Sequence, residues 1–340
     1  MLEILTGEMA WTAYSMTVAS LFFLLIWIHR RKVAGKTTSC RPLPPGPPGW
    51  PVIGNILDIG MKPHVNLALL KRQYGSLIWL RLGSINTLVI ASAESATELF
   101  KNHDHSFCNR YLNEALKTDD AHSGTMVLGE YGPYWRMLKR ICTTELFSRK
   151  RIKDTAPLRR QCVDKLIQWI VDEAKETGNS VELARYVFAS SFNVIGNLIL
   201  SRDLVDPKSS KGNDFFNLNS ELTELTAKPN IADLFPALRG LDPQGLQRKI
   251  KEKFTLVLAI IGSFVEERRR SMELEGGPKK GRDFLDVLME FEGSGKDEPA
   301  KITDKNLNTL LLELFMVATE TTNTSVEWTM TELLHTIATK

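Results

Sequence analysis

The apolar residues of this chain are concentrated near its start. Residues 9–28 contain no charged side chain, and eight of them are Val, Leu, Ile or Phe. Twenty helical residues span about 30 Å, which is the thickness of the hydrocarbon core of a bilayer. The eight apolar side chains favour insertion by about 2.5 to 5 kcal/mol. The pattern therefore predicts a transmembrane helix over residues 9–28.

The charges on either side of this segment predict its orientation. Glu3 and Glu8 precede the apolar run, whereas a cleaved signal peptide begins with positive charge. The basic residues follow the run instead: Arg30, Arg31, Lys32, Lys36 and Arg41. By the positive-inside rule, residues 1–8 are lumenal and the remainder is cytosolic. An uncleaved anchor is thus favoured over a signal peptide.

A proline-rich segment follows the basic residues. Six of the 15 prolines fall within residues 41–51. Proline fixes its own φ and biases the preceding residue to extended geometry, so the segment is stiff. Its position after the anchor favours a spacer over a ligand for a proline-binding module. Residues 29–52 are therefore predicted to be a basic and proline-rich linker.

The chain after the linker is predicted to be mainly α with a small β element. Residues 77–82 and 87–91 are short β-rich runs, and residues 83–86 between them favour a hairpin. Ser92 suits the N-cap of a helix that extends to about Asn102. Helical periodicity dominates afterwards.

Two later segments show this helical pattern. Phe254, Leu258, Ile261 and Val265 predict one apolar helical face. Residues 304–337 contain no Gly or Pro and predict one long helix, which Glu313 and Glu320 exclude as a second membrane span. This helix is rich in Thr, whose hydroxyl bonds the carbonyl four residues back and loosens the helical ladder. Periodicity alone favours a plain core helix over an active-site helix.

Composition excludes several classes of protein. The net charge is 43 − 40 = +3 over 340 residues, which is too diffuse for a nucleic-acid-binding surface. Four Cys in this length do not form a disulfide framework, so reduced thiols in a cytosolic domain are expected. Residues 103–108 (His-Asp-His-Ser-Phe-Cys) lack a second ligand pair, so no zinc site is predicted.

Three motifs in sequence order carry a resemblance to a known family. Residues 43–55 read Leu-Pro-Pro-Gly-Pro-Pro-Gly-Trp-Pro-Val-Ile-Gly-Asn, residues 131–142 contain Trp and a basic residue four later, and residues 317–322 read Val-Ala-Thr-Glu-Thr-Thr. Together with the anchor, they resemble a plant microsomal cytochrome P-450 of the geraniol hydroxylase-like group. The resemblance implies the N-terminal part of the cytochrome P-450 fold behind a single transmembrane helix. Residues 53–340 would form an incomplete monooxygenase domain that ends after the family's I helix.

The resemblance also implies roles for individual residues. Trp135 and Lys139 match the pair that binds the haem propionates, although the family usually has Arg at the second position. Glu320 and Thr321 match the acid and alcohol that relay protons in catalysis. Ala318 stands where the family has a smaller Gly beside the haem.

The same resemblance implies a cofactor, partners and a location. The cofactor is haem (iron protoporphyrin), and NADPH supplies electrons through a partner NADPH-cytochrome reductase. The substrate is a hydrophobic small molecule, terpenoid or phenolic, and the protein is a single-pass protein of the endoplasmic reticulum membrane. The basic residues between 136 and 153 are interpreted either as a solvated face or as a docking surface for the acidic reductase.

One expected motif is missing from the 340 residues. The family's haem-ligand Cys lies in a Phe-x-x-Gly-x-Arg-x-Cys-x-Gly segment, and none of the Cys at 40, 108, 142 and 162 has those neighbours. The axial thiolate is what favours O–O cleavage. The alternative to an enzyme is therefore a truncated, anchored remnant without activity.

Overall fold

The computed structural model describes residues 14, 16–24, 26, 28, 42–117, 121–178, 180–275, 282–295 and 298–338. The predicted lumenal residues 1–8 and the basic residues 29–41 lie outside the described residues, as does part of the predicted anchor. The anchor residues from 16 to 24 are helical, and their apolar side chains are exposed, with Phe22 61 % accessible. The predicted segment boundaries, after residue 8 and after residue 28, stay predictions.

The described residues beyond the anchor form a mainly α structure with one small sheet, as predicted. The strands are β1 (Leu77–Leu82) and β2 (Ile85–Ile90). The α-helices in chain order are α1 (Ile56–Ile59), α2 (Pro63–Tyr74), α3 (Ala93–Asn102), α4 (Pro133–Glu145), α5 (Arg149–Asp154), α6 (Ala156–Thr177), α7 (Leu183–Leu200), α8 (Ser210–Ala227), α9 (Ile231–Leu234), α10 (Leu246–Glu275), α11 (Phe284–Met289) and α12 (Asp304–Ala338). Short 3₁₀ turns occupy Asp104–Ser106, Glu114–Leu116, Ala121–Gly124 and Pro236–Leu241.

Two compact units make up this structure. The first comprises Met1–Phe107 and Ile231–Arg239, and the second comprises Cys108–Asn230 and Gly240–Lys340. The first unit holds the hairpin, whose antiparallel register runs from Leu77 opposite Ile90 to Leu82 opposite Ile85. The hairpin was predicted, but its loop was predicted two residues too long. Gly83 adopts a positive φ of 59°, which permits a two-residue turn and extends the pairing.

The proline-rich segment packs against the hairpin. The amide of Trp79 donates to the carbonyl of Pro45 at 2.9 Å, and the amide of Asn55 donates to the carbonyl of Arg81 at 2.6 Å. A Cβ on Gly46 would collide with the carbonyl oxygen of Trp79, so a glycine is required there. The segment from residue 45 to residue 55 is therefore held against β1 by backbone hydrogen bonds.

The N-cap predicted at Ser92 is confirmed. Its hydroxyl oxygen accepts a hydrogen bond from the amide of Ser95 at 3.1 Å, and α3 begins at the next residue and ends at Asn102. A Ser at this position satisfies an amide that has no partner within the helix.

The core of the second unit lies between α7, α10 and α12. Phe192 of α7 stacks on Phe315 of α12 with ring centroids 4.7 Å apart, and Phe215 of α8 lies 4.6 Å from Phe192. Ile261 and Val265 of α10 are buried, which confirms the predicted apolar face. Among the described residues, α7 is the one helix long and apolar enough to cross a membrane, but 61 % of it is buried in this core.

An arginine links three helices of the second unit. Arg268 of α10 donates to Asp283 Oδ2 at 2.7 Å, to Asp286 Oδ1 at 2.6 Å and to the carbonyl of Leu200 at 3.2 Å. The carboxylates of Asp283 and Asp286 are 6 % and 3 % exposed. Asp283 also caps α11, because its side chain accepts from the amide of Asp286 at 3.1 Å. The end of α7 and the start of α11 are thus joined to α10 by buried charge.

Candidate active site

The long helix predicted over residues 304–337 is confirmed as α12, which ends one residue later. The predicted threonine pattern is confirmed as well. Six Thr hydroxyls donate to the carbonyl four residues back, at 2.7 to 2.9 Å: those of Thr309, Thr321, Thr322, Thr329, Thr331 and Thr336. Thr319 differs, since it is fully buried and its hydroxyl has no hydrogen-bond partner among the described residues.

Glu313 of α12 holds a loop that precedes α4. Its carboxylate accepts hydrogen bonds from the amides of Met126 at 2.7 Å and Val127 at 2.6 Å. Burial raises the pKa of Glu313, and the two amides oppose this shift because they stabilise the charged form. Charge-assisted bonds to backbone amides are stronger than neutral ones, so this carboxylate fixes the loop to the helix.

Trp135 and Lys139 lie on one face of α4, as their spacing predicts. The indole N–H of Trp135 donates to the carbonyl of Met126 at 2.8 Å. The Lys139 ammonium lies 5.0 Å from the centre of the Trp135 ring, which is a cation–π contact. Trp135 and Glu313 therefore hold the same residue, Met126, from its carbonyl and amide sides.

The predicted proton-relay residues are adjacent in sequence but face different surroundings. Glu320 is half-buried, and Asn219 of α8 donates to its Oε2 at 3.3 Å. Burial, and then the charge of Glu327, raise the pKa of Glu320. Thr321 is exposed, and its hydroxyl donates to the carbonyl of Val317 at 2.9 Å. Successive side chains on a helix point about 100° apart, so the side chains of Glu320 and Thr321 project in different directions.

Ala318, predicted to lie beside the cofactor, is half-buried on the same turn. Its carbonyl accepts from the hydroxyl of Thr322 at 2.8 Å. The carbonyls of Val317 and Ala318 thus each accept an additional hydrogen bond from a threonine hydroxyl. Such back-bonding weakens the regular ladder at this point of α12.

A cavity of about 230 Å³ lies beside this part of α12 in the second unit. It is lined by the loop before α4, by α8, by α10 and by α12, and it is partly open to the surroundings. Most of its lining is apolar: Leu116, Val127, Leu128, Leu222, Ile250, Phe254, Leu312, Met316 and Val317. The polar lining residues are His122, Thr125, Thr226, Thr309 and Glu313. An apolar cavity with a few polar groups is the usual form of a small-molecule site.

The fit of the described residues to a haem differs between its carboxylate edge and its iron. Lys139 is exposed and cationic, which suits a propionate carboxylate, and Trp135 lies against it. Two of the described cysteines do not suit iron: burial raises the pKa of the Cys142 thiol to about 12, and burial also raises the pKa of Cys162. A thiol that stays protonated is not a metal ligand. Lys139 therefore suits the carboxylate edge of a haem, and neither of these two buried thiols suits its iron.

No other metal centre is formed by the described part of the chain. No group of three or more His, Cys, Asp or Glu side chains comes together there as a metal site requires. The His-rich residues 103–108 are spread over a short 3₁₀ turn, with His103 Nε2 lying 3.5 Å from Glu98.

Sequence comparison agrees with the fold. The family model for cytochrome P-450 matches residues 44–338. The chain therefore belongs to the cytochrome P-450 family, whose cofactor is haem. This membership confirms the resemblance that the three motifs indicated.

Three relatives show where in the family the chain lies. It is 44 % identical over 300 residues to cytochrome P-450 76A2 of Solanum melongena, covering 88 % of this chain and 59 % of the relative. It is 41 % identical over 325 residues to an iridoid oxidase of Catharanthus roseus, covering 94 % of this chain and 62 % of the relative. It is 33 % identical over 293 residues to a drimenol monooxygenase of Persicaria hydropiper, covering 86 % of this chain and 57 % of the relative. The chain thus spans about three fifths of the length of these curated relatives.

Proposed function

We propose that this protein is a membrane-bound, haem-dependent monooxygenase that hydroxylates a hydrophobic small molecule. The observation that carries the proposal is the apolar cavity on α12. This cavity extends along the helix to Val317, whose carbonyl accepts a hydrogen bond from the hydroxyl of Thr321. The cavity thus ends one helical turn from the residues expected to handle protons.

The residues of the chain have separate roles in this proposal. Haem supplies the activation of dioxygen when it is bound. Lys139 would hold a propionate, and Trp135 would position its ammonium through the cation–π contact, because the indole N–H is already bonded to Met126. Ala318 would lie against the haem, and Glu313 holds the loop against α12. Glu320 and Thr321 handle protons: burial raises the pKa of Glu320 and so favours its protonated form, while Thr321 Oγ1 offers a separate hydroxyl on the same turn.

The proposed substrate is a terpenoid or a phenolic compound. The cavity offers an almost entirely apolar lining, which favours a hydrophobic skeleton over a charged one. Two of the relatives are an iridoid oxidase and a drimenol monooxygenase by name. These names support a terpenoid.

The proposed location is the endoplasmic reticulum membrane, with residues 9–28 as the anchor. Where they are described, these residues are helical, and their apolar side chains are exposed to the surroundings. Two hydroxyls are satisfied within the described part of this helix, because Thr17 donates to the carbonyl of Tyr14 at 2.8 Å and Ser20 to that of Met16 at 2.8 Å. Internal satisfaction of polar groups is what the hydrocarbon core requires.

The proposed electron donor is an NADPH-dependent reductase. The basic residues between 136 and 153 include two that are paired internally: Arg140 with Glu298 at 2.9 Å and Arg151 with Glu145 at 3.2 Å. Arg149, Lys150 and Lys153 on α5 are exposed. Exposed basic groups on one short helix favour electrostatic steering of an acidic partner.

Turnover of the protein expressed with a plant reductase tests the relay. Thr321→Ala is expected to lower product formed per NADPH consumed by about tenfold or more. Thr329→Ala is the matched control, because Thr329 lies on the same helix and bonds Ser325 in the same way. Unchanged coupling in Thr321→Ala would remove the proposed relay.

A second candidate is an anchored chain without oxygenase activity. It is favoured by the buried Cys142 and Cys162, whose raised pKa values keep these thiols protonated and so make them poor ligands for iron. A reduced carbon monoxide difference spectrum separates the two candidates.

A further inference from the structure

A polar side chain interrupts the buried face of α8. Phe215, Asn219 and Leu222 follow one another at spacings of four and three residues, and they are 7 %, 5 % and 1 % exposed. Such spacing places the three side chains on one face of the helix. A buried amide costs free energy unless it is hydrogen-bonded, so Asn219 needs a partner in these apolar surroundings.

Glu320 of α12 supplies this partner. Asn219 Nδ2 donates to Glu320 Oε2 at 3.3 Å, across 101 residues of sequence. An ionised carboxylate only accepts hydrogen bonds, so the NH₂ group of the amide must face it. The contact therefore joins α8 to α12 through one amide nitrogen and one carboxylate oxygen.

The pair lies next to the cavity on both helices. Leu222 of α8 and Val317 of α12 line the cavity. Asn219 and Glu320 each lie three residues, about one helical turn, from these lining residues. The contact between the two helices is thus made directly beside the space proposed for the substrate.

The side chains that act on the Glu320 carboxyl in the described part of the chain are Glu327 on α12 and Asn219 on α8. Burial is the largest cause of the raised pKa of Glu320, and the like charge of Glu327 raises it further. Asn219 opposes both, because its hydrogen bond stabilises the charged form.

We propose that Asn219 is a positioning residue whose amide holds the carboxyl group of Glu320 against α8, beside the cavity. Asn219 acts through Glu320, by fixing the direction of its carboxyl and by limiting how strongly the proton is held. The inference rests on the proposed function, because it concerns the acid of that same site.

The titration of Glu320 in the full 340-residue chain tests the inference. The chain carries ¹³C-labelled glutamate and is held in lipid nanodiscs, without NADPH or a reductase. The infrared band of a protonated carboxyl that is missing from Glu320→Gln belongs to Glu320. Its intensity as a function of pH gives the midpoint of the titration.

Asn219→Leu, which replaces the amide by an apolar group of similar size, is expected to raise this midpoint by about one pH unit, the scale of a single hydrogen bond to a charged group. Asn219→Ala should shift it in the same direction with a smaller side chain. Asn219→Gln keeps the amide donor and should shift the midpoint less than either. Asn217→Leu is the matched control, because Asn217 is an exposed asparagine on the same helix, and it should leave the midpoint unchanged.

Turnover with a reductase separates this inference from the proposed function. The pH dependence of product formed per NADPH should move to higher pH in Asn219→Leu, as the infrared midpoint does. A shifted midpoint with an unchanged turnover profile would support the role of Asn219 and remove the proton-handling role of Glu320.

Two results would overturn the inference. An unchanged midpoint in both Asn219→Leu and Asn219→Ala would show that the amide does not act on Glu320. An equal shift in Asn219→Leu and Asn217→Leu would show a general effect of substitutions in α8 instead of a specific contact.

Discussion

The carboxylate of Glu313 accepts a hydrogen bond from the amide of Val127 at 2.6 Å, across 186 residues of sequence. The same carboxylate binds the neighbouring amide of Met126. Both partners belong to a loop with no regular secondary structure, and its position therefore depends on this side chain. The loop and α12 enclose the cavity together, so the pair sets the shape of the site.

Glu313→Ala is expected to release the loop. The loss of charge-assisted bonds, worth about 1.5–3 kcal/mol each, should accelerate amide hydrogen exchange at Met126 and Val127 by about ten- to hundredfold. Leu128 is an internal control, because its amide bonds Thr125 Oγ1 at 3.2 Å instead. Glu332→Ala, an exposed acid on the same helix, should change none of these rates. Exchange that stays slow at residues 126 and 127 would show that other contacts hold the loop.

Glu313 also predicts a pH dependence of stability. Burial raises the pKa of Glu313 above the ordinary 4.5. The folded state then binds the proton more tightly than the unfolded state, so the associated stability is full below pH 4.5 and is lost as the pH rises through the raised value. In Glu313→Gln, the free energy of unfolding should fall less over this window than in the wild type. Urea titrations at a series of pH values measure the free energy of unfolding of both proteins. Parallel dependences on pH would exclude a contribution from Glu313.

Arg268 predicts a large contrast with its neighbour Arg269. Arg268→Gln leaves two buried carboxylates uncompensated and should lower the free energy of unfolding by about 3–5 kcal/mol. Arg269 pairs at 2.7 Å with Asp304, whose side chain is 63 % exposed, so Arg269→Gln should cost less than about 1 kcal/mol. Chemical denaturation compares the two variants directly. Equal losses would contradict the assignment of Arg268 as the link between α7, α10 and α11.

Cys142 should be inert in the folded protein. Its thiol is buried, and a pKa of about 12 leaves a negligible thiolate fraction at neutral pH. Iodoacetamide should therefore label the more accessible Cys108 first and should reach Cys142 only in denaturant. Peptide mass spectrometry after timed alkylation gives the order, and fast native labelling of Cys142 would contradict the packing of α4.

Local features of the structure were predictable because their causes are local. Ser92 caps α3 through an amide three residues away, and the threonines of α12 bond carbonyls four residues away. The error in the hairpin was also local, since the positive φ of Gly83 allowed a shorter turn than the four-residue loop predicted.

The long-range contacts of the site were not predictable from one sequence. Glu313 was recognised only as a charge that interrupts an apolar run, and its partners 186 and 187 residues away are backbone amides without a sequence signal. The residues of the family motifs, in contrast, were found by resemblance.

The reduced carbon monoxide difference spectrum of the protein expressed from its native transcript tests the monooxygenase proposal most directly. The proposal predicts a Soret band of the thiolate-ligated type in membranes that contain the protein. Membrane-bound, folded protein that gives no such band would contradict the proposal and support the inactive anchored chain instead.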